Sequence, residues 1–200
     1  MHQYRGRMIL HTGSMFSGKT SSLERDLKRF SIANYKVIAF KPMLDKRYSR
    51  EEIVTHDKIS LKAIEIDSIK EILDYAEKNS PQVIGIDEVQ FLKDDPAVVL
   101  ENLEKMLDMG ITIVMAGLDM DYMAEPFEIV KEIMPKTDYL NKHHAVCKRC
   151  GTDAWVSHRK IKSDKRVELG AIEEYEPLCR RCYKEAVAED KLKENQEKFL

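Results

Sequence analysis

Hydrophobic positions in the first 135 residues alternate between short continuous runs and helical spacing. The continuous apolar runs lie at 8–12, 35–40, 83–86 and 111–116. Such runs predict strands, because strands of a parallel sheet are buried on both faces. Apolar residues recur at intervals of three and four over 21–32, 67–79 and 96–109, which predicts helices. The alternation favours an α/β fold, a parallel sheet with helices on both faces.

The pattern changes after Pro135, where the chain becomes strand-like in short segments. We therefore predict three parts: a nucleotide-binding α/β domain over 1–140, a small zinc-binding domain over 141–184, and a charged C-terminal tail over 185–200. From Arg181 onwards the charged residues predict either a solvated helix or a frayed end.

Charge is dense but balanced, with 33 Lys plus Arg against 35 Asp plus Glu. That balance disfavours general attraction to nucleic acid, which calls for a clustered basic face. No apolar run approaches the roughly 20 residues of a membrane-spanning helix, and the first residues do not resemble a signal peptide. We expect a cytoplasmic protein.

A phosphate-binding loop is the strongest motif. Residues 13–20 match G-x-x-x-x-G-K-[ST] without a mismatch, between a predicted strand and a predicted helix. Glycines let backbone N–H groups point at one phosphate, and the helix N-terminus adds its positive end. The candidate nucleotide ligands are Gly13, Ser14, Met15, Phe16, Ser17, Gly18, Lys19 and Thr20. Lys19 suits the β- and γ-phosphates, and the Thr20 hydroxyl suits Mg²⁺.

Two carboxylates, Asp87 and Glu88, follow the buried run 83–86. In P-loop proteins such an aspartate helps to hold Mg²⁺, so Asp87 takes that role. Glu88 is the candidate general base. Its proton donor is either water, giving an ATPase, or a substrate hydroxyl, giving a kinase.

The four cysteines form two Cys-x-x-Cys pairs, Cys147 with Cys150 and Cys179 with Cys182. Four thiolates in two chelating pairs predict a closed, structural Zn²⁺ site. The 28 residues between Cys150 and Cys179 exceed the usual ribbon spacing, which suggests that this loop covers a ligand.

From Met8 to Tyr183 the chain resembles the type II thymidine kinases, the cellular-type family with a P-loop domain and a zinc-bearing lasso. The resemblance rests on an ordered set of segments. These are 13–20, Phe40-Lys41-Pro42 with 45–48, Thr55-His56, 86–91, 116–119, Pro126-Phe127, 145–150 and 175–182.

The resemblance implies ATP- and Mg²⁺-dependent phosphorylation of the thymidine 5′-hydroxyl, with Glu88 as the proton acceptor. It places Asp45, Arg47 and 87–90 (Asp87, Glu88, Val89, Gln90) at the nucleotide. It places a further set at the nucleoside: Met15, Phe91, Leu118, Tyr122, Phe127, Ser157, Val167, Glu168, Leu169, Gly170 and Tyr175. Two departures stand out, since Ser157 replaces a usual Thr and Tyr122 a frequent Phe.

The resemblance also implies a homotetramer, and feedback by thymidine triphosphate is consistent with it. Deoxyuridine stays open as a second substrate, because a pocket discriminates one methyl group only by about 10–200-fold. The alternative from another class is a P-loop ATPase of nucleic-acid metabolism with a zinc module. We expect no membrane and no nucleic-acid partner.

Overall fold

The computed structural model describes residues 6–43, 63–161 and 174–197. The larger elements of its first part are β1 Met8–Gly13, α1 Lys19–Ile32, β2 Val37–Pro42, β3 Ala63–Ile66, α2 Ile69–Asn79, β4 Val83–Ile86, α3 Pro96–Asp108, β5 Thr112–Leu118, α4 Glu128–Ile133 and β6 Tyr139–His143. Short 3₁₀ turns lie at Val89–Phe91 and Met134–Lys136.

Six strands form one sheet in the order β3-β2-β4-β5-β1-β6. β2 pairs in parallel with both β3 and β4, and β4 pairs in parallel with β5. In that register Val83 lies opposite Val37 on one side and Thr112 on the other. The predicted parallel α/β sheet is confirmed, and the carboxyl ends of β4 and β5 lie at one edge of it.

The core explains how α1 is placed over the sheet. Leu23, Leu27 and Phe30 of α1 pack with β1, β2, β4 and β5 in one buried cluster. Gly85 in β4 faces Leu27, whose methyl groups occupy the space that a Cβ at position 85 would need. Close packing of α1 on β4 therefore holds Lys19 and Thr20, at the N-terminus of α1, near the end of β4.

Most predicted elements are confirmed with shifted ends, and three were missed. α1 begins at Lys19 rather than position 21, because the last two residues of the motif are already helical. β3 and β6 were not predicted because both are short strands at the edges of the sheet. Most of β6 is exposed, so it carries no continuous apolar run. α4 is only 6 residues long, too short for periodicity to reveal.

The chain divides into two compact units by its internal contacts. The first comprises 1–12, 19–119 and 127–142, and the second comprises 13–18, 120–126 and 143–200. The three-part division made from the sequence stays a prediction. Among the described residues no helix is long and apolar enough to cross a membrane.

The second unit contains the antiparallel pair β7 Val156–Arg159 and β8 Tyr175–Leu178, followed by α5 Arg180–Glu197. Its small core combines Leu178 with alanines and with two of the cysteines, Cys147 and Cys182. Asp190 of α5 contacts the strand pair, with its Oδ2 atom 3.0 Å from His158 Nε2 of β7. Glu189 pairs with Arg149, with N–O distances of 2.9 and 3.0 Å, so the C-terminal segment is a helix tied to this unit.

Candidate active site

Asp87 and Thr20 meet at the carboxyl end of β4. The Thr20 hydroxyl donates a hydrogen bond to Asp87 Oδ1 over 3.2 Å, and the Glu88 backbone N–H donates to the same oxygen over 3.0 Å. The Asp87 backbone N–H donates to the Phe40 carbonyl of β2, which fixes the strand end. A hydroxyl and a carboxylate are therefore held side by side, a donor set suited to a hard divalent cation.

Burial and neighbouring charge act on the ionisable groups here. Burial, with a further contribution from Glu88, raises the pKa of Asp87 to about 7. Burial lowers the pKa of Lys19, although Glu88, Asp87 and Asp119 oppose that change. Negative charge is thus crowded around one buried lysine, and a bound cation would relieve the crowding.

Glu88 stands at a strained position of the backbone. Its φ of 51° and ψ of 41° lie in the left-handed region, which costs a non-glycine residue roughly 1–3 kcal/mol. The residue turns the chain from β4 into the 3₁₀ turn that begins at Val89. Strain of this kind concentrates at functional sites, which agrees with the role predicted for Glu88.

Gln90, expected from the resemblance to lie at the nucleotide, is buried with 6% of its surface exposed. Its Nε2 donates to Glu88 Oε2, and its Oε1 accepts a hydrogen bond from the Leu118 N–H over 3.0 Å. Val89 is fully buried in the same turn. The described contacts of both residues are thus with protein groups of the first unit.

The phosphate-loop segment 13–18 has the curled backbone that the motif predicts. Gly13 has a φ of 136°, and a side chain there would collide with the His143 carbonyl. Phe16 and Gly18 also have positive φ values, of 64° and 82°. Within the second unit, the Met15 N–H donates to Ser157 Oγ over 2.8 Å, so a strand of that unit holds the loop.

Tyr122 lies in a second loop of this unit, which several contacts fix. The Tyr183 hydroxyl donates to the Tyr122 carbonyl over 3.0 Å. The guanidinium carbon of Arg159 lies 3.5 Å from the centroid of the Tyr122 ring, a close cation–π contact. Asp121, itself buried, accepts the backbone N–H groups of Met123 and Glu125. Contacts to the Tyr122 ring and to backbone groups of the loop therefore hold this loop in place.

The remaining predicted nucleoside residues divide between the two units. In the first, Phe91 and Phe127 meet edge to face with ring centroids 6.0 Å apart, and Leu118 ends β5. In the second, Tyr175 is a buried residue of β8. Asp45, Arg47, Val167, Glu168, Leu169 and Gly170 lie outside the described residues.

The four cysteines come together as predicted. Their Sγ atoms all lie within 4.8 Å of one another, and Cys150 Sγ lies 3.6 Å from Cys179 Sγ. A tetrahedral zinc with Zn–S bonds of about 2.3 Å needs S···S edges of about 3.8 Å, so the cluster fits this ion. The Cys182 backbone N–H lowers the pKa of the Cys179 thiol to about 6, which favours the thiolate that zinc requires.

Two ion-pair groups were not found from the sequence. Asp119, buried at the end of β5, lies 2.9 Å from the Lys142 ammonium of β6. His158 of β7 lies between Glu176 and Asp190, at 3.3 and 3.0 Å. His158 is thus held by carboxylates. Asp119 could have been predicted as a site residue, because it follows an apolar run as Asp87 does. Its partner Lys142 could not have been predicted, because nothing in the sequence indicates that β6 lies beside it.

Comparison with known proteins gives one consistent result. The family profile described as thymidine kinase matches residues 6–183. A thymidine kinase of Bacteroides thetaiotaomicron is 44% identical over 93% of this chain and 91% of its own length. Thymidine kinases of Bacteroides fragilis and a Rhodothermus species are 41% and 42% identical, over 94% and 86% of this chain and 92% and 78% of their own lengths.

A solved structure is similar in fold alone. The flagellar accessory protein FlaH from Methanocaldococcus jannaschii superposes with a TM-score of 0.53 at 13% identity, over 74% of this chain and 75% of that one. The likeness supports the α/β architecture.

Proposed function

This chain belongs to the thymidine kinase family, and we propose that it transfers the γ-phosphate of ATP to the 5′-hydroxyl of thymidine. The observation that carries the proposal is the group at the end of β4. There the Thr20 hydroxyl is bonded to the buried Asp87 carboxylate, and the strained Glu88 follows directly. The family assignment favours a kinase over the alternative of a nucleic-acid ATPase.

Thr20 and Asp87 are the proposed holders of Mg²⁺, since both offer oxygen atoms at one point. The ion would neutralise charge on the β- and γ-phosphates of the bound donor. Lys19 is proposed to contact the same phosphates, and the backbone N–H groups of 13–18 to surround them. Asp45 and Arg47 remain proposed phosphate contacts on the strength of the family resemblance.

Glu88 is proposed as the general base. Its carboxylate takes the proton of the 5′-hydroxyl while that oxygen bonds to the γ-phosphorus, and the bond from this phosphorus to the bridging oxygen breaks to release ADP. Phosphoryl transfer asks a protein mainly for positioning and charge neutralisation. Once the protein holds the acceptor, one base beside a cation site is therefore sufficient for the transfer.

The nucleoside contacts remain proposals. They are Phe91, Leu118, Phe127, Met15, Tyr122, Ser157, Tyr175 and 167–170. The zinc ion is proposed as a structural element of the second unit, since two of its four cysteine ligands, Cys147 and Cys182, belong to the core of that unit. A homotetramer, feedback by thymidine triphosphate, deoxyuridine as a second substrate and a cytoplasmic location also remain proposals.

The test measures transfer of radiolabelled phosphate from ATP to thymidine, deoxyuridine and the other deoxynucleosides, and ATP hydrolysis with and without single-stranded DNA. We expect thymidine to be labelled. For Glu88→Gln, which keeps the shape and removes the proton acceptor, kcat falls about 10²–10⁴-fold with little change in thymidine binding. Glu101→Gln on the exposed face of α3 is the matched control and leaves kcat unchanged.

Two results would contradict different parts of the proposal, the first the reaction and the second the general base. ATP hydrolysis that depends on single-stranded DNA, without any labelled nucleoside, would replace the kinase with the ATPase. Thymidine phosphorylation at a near-normal rate by Glu88→Gln would leave the kinase in place but assign the base elsewhere.

A further inference from the structure

Gln90 is buried beside Glu88 with both ends of its carboxamide in use. Its Nε2 donates to Glu88 Oε2, and its Oε1 accepts the Leu118 N–H of β5 over 3.0 Å. We propose that Gln90 is a positioning residue that holds the Glu88 carboxylate for proton transfer. The inference rests on the proposed function, in which Glu88 is the base.

The orientation of the Gln90 carboxamide follows from its partners. A backbone N–H can only donate a hydrogen bond, so the atom facing Leu118 must be the oxygen. An ionised carboxylate can only accept, so the atom facing Glu88 must be the nitrogen. An exchange of the two ends would set donor against donor and acceptor against acceptor, and the chemistry therefore fixes the assignment.

Space for the carboxamide comes from Gly117. A Cβ at that position would lie 2.8 Å from Gln90 Oε1 and 2.8 Å from a methyl group of Val89. The Gln90 side chain thus rests against the bare backbone of β5, while its other end reaches the base. Rigid supports of this kind give a reactive group its precision.

Glu88 needs such a support. Its left-handed backbone starts the side chain in an unusual direction, and the residue is only half-buried. A glutamate side chain has three rotatable bonds, and loss of alignment by about 1 Å can lower a rate about 10²-fold. Gln90 engages one carboxylate oxygen, and we assign the second oxygen to the acceptor hydroxyl.

The family resemblance suggests another role for Gln90, contact with the nucleotide. The two roles differ in what they predict. A nucleotide contact affects the KM for ATP whatever residue stands at 88. A positioning residue affects kcat, and only while a glutamate stands at 88.

The experiment is a double-mutant cycle on thymidine phosphorylation. We expect Gln90→Met to lower kcat about 10–100-fold, with the KM values for ATP and thymidine changed less than about threefold. In the Glu88→Gln background the same substitution changes kcat less than about threefold, because the group that it positions is gone. Gln82→Met is the matched control, since Gln82 also accepts a backbone N–H, that of Lys36, at an exposed site. It leaves kcat unchanged.

Gln90→Glu serves where Gln90→Met does not fold. It keeps an acceptor for the Leu118 N–H but sets a like charge against Glu88, and we expect kcat to fall at least as far. Normal kcat in Gln90→Met or Gln90→Glu, together with a large loss in Glu88→Gln, would overturn the inference and leave the function standing. If Gln90→Met lowered kcat as much in the Glu88→Gln background as in wild type, and also raised the KM for ATP, Gln90 would be reassigned to the nucleotide. Normal kcat in Glu88→Gln would instead remove the base itself.

Discussion

The buried Asp87 carboxylate gives the stability of this protein a specific dependence on pH. Burial and the neighbouring Glu88 raise its pKa to about 7, against about 3.9 in an unfolded chain. The folded protein therefore binds more protons than the unfolded chain between about pH 4 and pH 7. In that window the free energy of unfolding falls as pH rises, because the folded state must give up a proton that it holds tightly.

The size of the effect follows from the width of the window. Each unit of pKa difference corresponds to about 1.4 kcal/mol of stability. The window is about three pH units wide, and an assay from pH 5 to pH 8 overlaps it only between pH 5 and pH 7, which is about two units. We therefore expect Asp87 to remove up to about 3 kcal/mol of stability over that range in protein without Mg²⁺. Mg²⁺ reduces the loss, because the cation favours the ionised carboxylate.

The measurement is urea unfolding of wild type and Asp87→Asn at pH 5 and pH 8, followed by circular dichroism. Asparagine keeps the shape and an acceptor for the Thr20 hydroxyl but does not titrate. Groups common to both proteins cancel, so the stability of Asp87→Asn relative to wild type rises by about 2–3 kcal/mol from pH 5 to pH 8.

Glu88→Gln is the comparison variant. It removes the charge of Glu88, which contributes less than burial to the raised pKa of Asp87. The stability of Glu88→Gln therefore depends on pH less strongly than that of wild type, but the dependence is still present. A stability difference between wild type and Asp87→Asn that is equal at both pH values, within about 0.5 kcal/mol, would refute the reasoning. So would a change of opposite sign.

Two further predictions concern the second unit. Ser157→Ala removes the acceptor of the Met15 N–H, so we expect kcat/KM for ATP to fall about 5–10-fold, the worth of one hydrogen bond, while Ser157→Thr stays near wild type; equal losses in both variants would point to packing instead. For the cysteine cluster we expect about one zinc ion per chain by elemental analysis, and a lower melting temperature with reduced metal content in Cys179→Ser. Metal-free protein of unchanged melting temperature would contradict the structural role.

Much of the fold could be read from the sequence because the buried strands carry continuous apolar runs. β4 and β5 are buried almost throughout; the predicted run 83–86 coincides with β4, and the run 111–116 differs from β5 by one residue at its start and two at its end. β6 could not be found, since an exposed edge strand has no buried face to impose a pattern. The cysteine cluster was predictable for a different reason, because two chelating pairs leave few other arrangements.

The candidate site was predictable where a motif fixes the neighbours in the chain. Lys19, Thr20, Asp87 and Glu88 all follow from short segments with a known chemical purpose. The contact between Met15 and Ser157 joins residues 142 positions apart. No local pattern encodes such a pair, so Ser157 could be named from the resemblance but not tied to the loop.

Gln90 shows the same limit within the first unit. The sequence places it two residues after Glu88, which suggests a shared site but gives no direction for its side chain. The direction depends on the left-handed backbone at Glu88, on the bare surface of Gly117 and on the Leu118 N–H. All three belong to strand ends that only the folded sheet brings together. A glutamine is neutral and unreactive, so its residue type alone predicts no chemical role, and only the family resemblance placed Gln90 at the nucleotide. Yet an amide that must donate at one end and accept at the other suits a residue that aligns a base without competing for its proton.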